Sequence, residues 1–580
     1  MTNERSEGTP LAAVVRDLSR TARSGLCVSV VMGAALASAA DSADFESFYA
    51  SKVSLPTIRD LAPTADIVGR GRSLGVDEAI AMAIGNNLAV AVERFGPLIA
   101  EAEASAAMGV YDPTLRADFR HEIEKTPLTS ALAFAAATRD RTNGGGIGIE
   151  QEIPLIGATV SARYEARSLL TRLPTEQLSP RYDSSFFLTG RIPLLRGLVW
   201  NENWTNVKLR DIQSDAARDT FSLEAMDIVR ETADAYWSLV AARDRVRVVQ
   251  KSLETSRALA ELARNRLAAG VASRLSVVEA EAGVAEREFD VITAANAYRR
   301  AQDVLVARIL GRGLSAETQA LITPEYDPLA FEMRTPDLSR AVEIAFRERP
   351  ELAQARRRIE ESEVELKLAQ NQLLPQFDVE ASFGYVGISG DPNPGGANLD
   401  FINVPGFTDP FIVIDADGAP PLQTGGFTSS DNRFFNRSGS ENYSVRGVFS
   451  IPFPNTTARK RAVSRKLEFQ RAKTNLAWRE QEVVLEVRDA VRNLMASAMG
   501  IEAAERRRLM VEEQLRSERD RLEHGESTPF DVLQRESDLV DAESKKIAAV
   551  QTYRSAEIGL ERAQGTILDF YDVVLDESGE

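Results

Sequence analysis

The 580-residue chain has one cysteine, Cys27, and two histidines, His121 and His524. A single thiol closes no internal disulfide, and one thiol with two distant imidazoles makes no metal cluster. His121 is read on a strand's polar face and His524 in a turn, where solvation or hydrogen bonding accounts for both. Basic residues are also in deficit, 69 against 86 acidic ones for a net charge of −17. That balance argues against nucleic acid as a partner. No glycine-rich phosphate loop follows a strand, and "TNGGGIG" (142–148) reads as a plain loop. Glu360, Glu361 and Glu363 share an arginine-rich helix, where ion pairing explains them. No catalytic residue, cofactor or metal is expected, and an enzyme is poorly supported.

Long apolar runs are missing too. After residue 40 nothing approaches the ~18 consecutive apolar residues of a membrane helix. The run "GLCVSVVMGAALA" (25–37) follows Arg5, Arg16, Arg20 and Arg23 and precedes small residues. It is too short to span a bilayer comfortably and reads as a secretory signal cleaved near Ala39 or Ala40. Cys27 follows Ser24, Gly25 and Leu26, a context that does not suit lipid modification, and it leaves with the signal. Once exported, such a chain meets a membrane only through strands or its surface.

What the sequence does contain is a duplicated plan. "DEAIAMAIGNN" (77–87) aligns with "SRAVEIAFRER" (339–349), placing Ala79 opposite Ala341 and Ala83 opposite Ala345, and Pro113 matches Pro375 at the same offset. Further on, Ile192-Pro193 faces Ile451-Pro452, and Asp234, Ala235 and Leu239 face Asp489, Ala490 and Leu494. Each copy runs helix, strands, long helix, turn, long helix. The expected organisation is a signal (1–39), an N-terminal segment (40–73), a first repeat (74–330) and a second (331–575).

The strands alternate with period two. Leu115, Ala117, Phe119 and Ile123 alternate with Arg116, Asp118, Arg120 and Glu122, and Phe377, Val379, Ala381, Phe383 and Tyr385 with Asp378, Glu380 and Ser382. One face apolar and one wet describes an antiparallel sheet half-covered by helices, or equally the wall of a membrane barrel. Polar, Gly- and Pro-rich connections are expected at "TRDRTNGGG" (138–146) and over about 384–442. Two additional strand-like segments, 146–153 and 158–167, flank "PLIG".

Proline is absent from about 203–268 and 456–522, where apolar residues recur at spacings of three and four. These are long amphipathic helices that seek helical neighbours, and ~65 residues make a rod of roughly 100 Å. The rods reverse at "AAGVASRLSVVE" (268–279) and "EHGESTPFDVLQ" (523–534). Gly270 and Gly525 suit left-handed helix ends, Ser273 and Thr528 suit N-caps, and Asp531 sits three residues after the second cap. Capping alone suffices to explain them.

The order of these features, doubled, and the turns "RLAAGVASRLSVVEAE" and "RLEHGESTPFDVLQRE" resemble the TolC-like outer-membrane efflux and secretion channels across nearly all of 74–570. The resemblance implies an α+β membrane protein: a homotrimer whose strands close one outer-membrane β-barrel, usually of twelve strands, continued by a periplasmic α-helical barrel. It implies a passive exit duct for a tripartite efflux pump or a type I secretion system, gated at the periplasmic tip. Its partners would be a periplasmic adaptor (membrane fusion) protein, an inner-membrane RND, ABC or MFS transporter, and outer-membrane lipid. Asp531 matches a tip aspartate that forms an acidic ring at the constriction. Gln534 and Ser276 stand where relatives carry further acids, which departs from the pattern. Gly270, Val271 and Gly525, with Ser273 and Thr528, match the tip turns where the adaptor docks. The additional hairpin at 146–167 either enlarges the barrel or folds outside it. A secreted coiled-coil scaffold or adhesin without a pore is the rival reading.

Overall fold

The computed structural model describes residues 72–127, 137–173, 176–271, 273–314, 322–325, 333–393, 424–435 and 440–575. The expected signal and all but the end of the N-terminal segment lie outside them. A short strand β1 (Arg72–Leu74) leads into helices α1 (Val76–Asn86), α2 (Leu88–Glu93) and α3 (Phe95–Met108). Four strands follow: β2 (Thr114–Pro127), β3 (Ala137–Ile153), β4 (Ala158–Leu170) and β5 (Leu178–Pro193). The first rod and its return are α4 (Glu202–Ala268) and α5 (Arg274–Leu310), and β6 (Ile322–Pro324) pairs in parallel with β1. The second copy comprises α6 (Leu338–Glu348), α7 (Pro350–Asn371), β7 (Gln376–Pro392), α8 (Phe427–Phe435), β8 (Ser440–Ser450), α9 (Thr456–Glu523) and α10 (Pro529–Gln564). It ends in α11 (Ile567–Phe570).

The duplication is visible in packing. Ala79 and Ala83 are buried beside Ile80, Val229 and Ile309, while Ala341 and Ala345 are buried beside Leu352, Val487 and Leu494. A helix can approach its neighbour closely only where such positions are small. The break between α1 and α2 at Asn87 recurs between α6 and α7 at Arg349. In the first core the Tyr236 hydroxyl donates to the Leu74 carbonyl at 3.0 Å, and Tyr298 and Gln302 donate to that of Ile322 at 3.0 and 2.9 Å. These bonds satisfy strand carbonyls that would otherwise be buried without partners.

The rods run 67 and 68 residues, about 100 Å each at 1.5 Å per residue. Beside α4 lie α3 near the strands and α5 toward the far end; beside α9 lie α7 and α10. Each level of the rod region therefore carries four helices abreast.

The strands form one antiparallel sheet, in the order β2-β3-β4-β5-β7-β8. Register sorts its side chains. Leu115, Ile149, Ala162, Leu188, Phe383 and Tyr443 form one cross-strand row, and Ala117, Ile147, Tyr164, Phe186 and Tyr385 the next. Both rows lie on one face. Arginine and carboxylate side chains occupy the other, except at the strand ends away from the helices, where Lys125, Arg139, Arg141, Asp391 and Glu441 fall on the apolar parity. Several apolar residues stand open, with Phe119 73%, Val445 76% and Tyr443 84% exposed, and a patch of that extent on a wall requires a covering.

Three expectations are corrected here. "TRDRTNGGG" and "TNGGGIG" are strand, inside β3, not loop. The stretch 384–442 is not all connection either: β7 runs on to Pro392, and α8 packs on β5 and β7. Its Ser430 hydroxyl donates to the Gly387 carbonyl at 2.7 Å, and a Cβ on Gly387 would lie 2.3 Å from the Ser430 carbonyl oxygen. Finally, His121 has the parity of Phe119 and Ile123, so it lies on the apolar face, where it meets the Asn143 side chain at 2.6 Å.

Candidate functional site

The far ends of the rods are built by local hydrogen bonding. At the end of α4, Gly270 takes φ +76°, its N–H donates to the Leu267 carbonyl, and the Val271 N–H reaches back to Arg266, both at 2.9 Å. At the end of α9, Gly525 takes φ +81°, its N–H donates to Leu522 at 3.1 Å, and the Glu526 N–H reaches Arg521 at 2.9 Å. This paired closure satisfies the last helix carbonyls and requires a left-handed residue. A Cβ at either glycine would meet nothing within 4 Å. Backbone angle, not crowding, accounts for them.

The returning helices start alike. Ser273 accepts from the Ser276 N–H at 3.1 Å. Thr528 accepts from the Asp531 N–H at 3.2 Å, and the Asp531 carboxylate accepts from the Thr528 N–H at 3.1 Å and its hydroxyl at 2.7 Å. That is a full capping box, with proline at the first helical position. The Thr528 hydroxyl, its backbone N–H and the Ser527 hydroxyl hold the Asp531 carboxyl below the usual carboxylate range, so it is ionised at neutral pH. Gln534 is exposed one turn on and Ser276 half-buried at the matching start of α5. Val271 is 75% exposed.

Both turns lie at the same end of the chain. The Arg266 guanidinium donates to the Leu522 carbonyl at 3.3 Å, and Leu259, Leu515, Leu522 and Val532 form a shared apolar cluster. Nearby, α5 presents Gly283 to α10, where a Cβ would sit 2.9 Å from a Leu533 methyl. Sequence reasoning missed the buried Glu536 here, which pairs with Arg519 at 2.9 Å. Burial pushes its carboxyl up, against the pull of Arg519. The available signal was an acid on the buried stripe of Val532 and Leu539.

At the other end, the charged face of the sheet carries ion pairs from strand to strand. Arg163 of β4 reaches Asp118 of β2 at 2.6 Å, Arg167 reaches Asp183 of β5 at 2.8 Å, Arg191 binds Asp378 of β7, and Arg446 of β8 reaches Glu380 at 2.8 Å. The pairs are of mixed sign, and each arginine keeps its outer atoms open to solvent. Among the described residues no group of His, Asp or Glu is placed to hold a metal ion, and no helix is long and apolar enough to cross a membrane.

A sheet with one apolar and one charged face, mounted on rods of about 100 Å, defines a membrane-wall protein with a long extramembrane extension. Residues 150–312 and 413–566 match the Outer membrane efflux protein family, and the chain belongs to that family. It is therefore an outer-membrane efflux channel with a periplasmic helical part, a transport protein and not an enzyme. Channels of this family form trimers and work with adaptors and inner-membrane transporters. No curated protein matches the chain. Among solved structures, the fold is shared with the Campylobacter jejuni CmeC outer membrane channel, at 12% identity over 85% of this chain and 86% of that one, TM-score 0.55. It is shared with VceC of Vibrio cholerae at 16% identity over 84% and 96% of the two chains, TM-score 0.54. The Neisseria gonorrhoeae MtrE outer membrane channel matches at 16% identity over 85% and 89%, TM-score 0.54.

Proposed function

We propose that three copies of this chain assemble with the apolar sheet face, outside the area that α8 covers, toward outer-membrane lipid and the charged face around water, as the exit duct of a tripartite pump or type I secretion system. The observation that carries this reading is the sorting of side chains over the part of all six strands nearer the helices, combined with the edges of β2 and β8, which have no partner within the sheet. Unpaired edges on a wall of this kind pair with another chain or leave backbone groups unsatisfied in lipid. The two repeats, 74–330 and 331–575, each supply one rod and its return helix. The duct is passive, and energy comes from an inner-membrane RND, ABC or MFS transporter through a periplasmic adaptor.

At the tip, Asp531 forms a threefold ring at the constriction, with Gln534 and Ser276 beside it. The exposed turns Gly270–Val271 and Gly525, flanked by Ser273 and Thr528, receive the adaptor. Asp531 then has two duties, as helix cap and as pore charge. Asp531→Asn separates them, because the amide oxygen still accepts from Thr528 while the charge is gone. Purified protein in planar bilayers should give discrete single-channel steps, and Asp531→Asn should lower cation selectivity and divalent-cation block with little loss of stability. Unitary steps whose selectivity is unchanged by the substitution would remove Asp531 from the pore; no steps from purified trimers would sink the duct.

A further inference from the structure

Resting on the trimeric duct proposed above, we infer that the additional hairpin β3–β4 is part of the membrane wall, so that the assembled barrel has eighteen strands, six from each chain. Four observations place it there. First, β3 pairs along its length with β2 on one side and β4 on the other, and β4 pairs in turn with β5, without a register shift. A hairpin folded outside the wall would leave β2 and β5 adjacent. Second, from Asn143 toward the helices the hairpin obeys the parity of the wall: Ile147, Ile149, Val160, Ala162 and Tyr164 take the apolar face, while Arg163, Glu165 and Arg167 take the charged one; Arg139 and Arg141 break it only at the far end. A one-residue slip would invert all of them.

Third, β3 is shaped for this position. Midway along its charged face, between Thr142 and Glu150, come Gly144, Gly146 and Gly148, and Arg163 lies across Gly146 and Gly148 to reach Asp118 two strands away at 2.6 Å. A Cβ on Gly146 would sit 2.9 Å from that guanidinium. The glycines clear a path for an ion pair that spans β2 to β4. Fourth, the turn joining β3 to β4 is tied to the helices at the base of the wall. Asn203 donates to Glu152 at 2.7 Å, Gln151 donates to the Tyr111 carbonyl at 3.3 Å, and a Cβ on Gly157 would sit 2.7 Å from the Gly197 carbonyl oxygen.

Size follows from geometry. Strands ~4.8 Å apart and tilted about 40° each occupy roughly 6.3 Å of circumference. Eighteen give a perimeter of about 113 Å and a backbone diameter of about 36 Å, against about 24 Å for twelve. Twelve helices abreast, at ~9 Å spacing, give a perimeter of about 108 Å. An eighteen-stranded wall therefore continues the helical tunnel with almost no change of bore.

Strand counting in an electron cryo-microscopy map of the detergent-solubilised protein tests this directly, and eighteen strands are expected. A biochemical arm uses cysteine pairs, since Cys27 is the only native cysteine. Glu122→Cys with Thr142→Cys, and Glu165→Cys with Ser185→Cys, are register partners and should oxidise to intrachain disulfides. Asp118→Cys with Ser185→Cys lies in one row but three strands apart, about 14 Å, beyond disulfide reach. A trimer with twelve strands, or efficient Asp118–Ser185 cross-linking, overturns the eighteen-stranded wall while leaving the duct intact. A chain that remains monomeric in detergent overturns both.

Discussion

Glu351 offers a quantitative test of how the two repeats are held together. It opens α7 in the second copy and accepts from Arg349 at 2.8 Å and from Arg562 of α10 at 3.1 Å. Arg562 also donates to Asp227 of the first rod at 2.9 Å, and Arg349, 6% exposed, binds Glu486 of the second. One chain of charges thus crosses α4, α10, α7 and α9. Burial alone would raise the Glu351 carboxyl, but the Arg349 hydrogen bond and both guanidiniums bring it down from 4.5 to about 2. A depressed carboxylate contributes stability that is fully present above its unfolded value and is lost as pH falls through the folded one. The shift corresponds to about 3 kcal/mol per chain at pH 7, falling to about 1.4 kcal/mol near pH 3. Glu351→Gln removes that contribution and leaves Arg349 with one carboxylate. Urea unfolding of the detergent-solubilised protein, followed by far-UV circular dichroism, should show a deficit against wild type that roughly halves between neutral pH and pH 3. No deficit at neutral pH, or one that does not shrink on acidification, would refute the assignment of this network as a clasp.

Other consequences are local. Thr528→Ala removes the side-chain half of the capping box, leaving only the backbone N–H of residue 528 on the Asp531 carboxylate, and should cost about 1 kcal/mol, read as roughly fivefold faster hydrogen exchange in the first turn of α10; unchanged exchange would mean the cap contributes nothing. Gly311 has φ +51° and its Cβ would lie 2.0 Å from the Asn86 carbonyl oxygen. Gly311→Ala should therefore lose more than the ~1–3 kcal/mol of backbone strain alone, whereas Gly270→Ala, with open space around it, should lose only ~1–2 kcal/mol. Equal thermal midpoints for the two would contradict the contact. Gly387→Val should expel α8 from the sheet, making 427–435 readily cleaved by protease in intact cells; wild-type resistance would show that α8 is held by something other than this close approach.

How far the sequence disclosed this arrangement depends on the range of the forces involved. The tip was legible because a cap is a contact between residues three apart: Thr528 to Asp531, Gly525 to Leu522. The rods were legible for the same reason, since a stripe such as Val487, Val491 and Leu494 needs only the helix period. The clasp was not, because 335 residues separate Arg562 from Asp227 and neither departs from an ordinary charged face until the two helices meet.

The strand β3 failed for a subtler reason. Alternation is visible only when both faces carry side chains, and at Gly144, Gly146 and Gly148 the charged face carries none. The charge that belongs there is supplied by Arg163 of the next strand, lying over the gap. Glycine weakens a strand in isolation, so a reading residue by residue assigns "TNGGGIG" to a loop; only the pairing of β3 with β2 and β4 turns its empty positions into room for a neighbour. The same logic misplaced His121. Imidazole on an apolar face contradicts the pattern until Asn143, opposite on β3, is in place to meet it. In a wall of this kind the unit that obeys the solvent rule is the row across strands. A sequence presents strands one at a time, so it discloses the rows whose every member has a side chain and conceals those where one strand does the work of two.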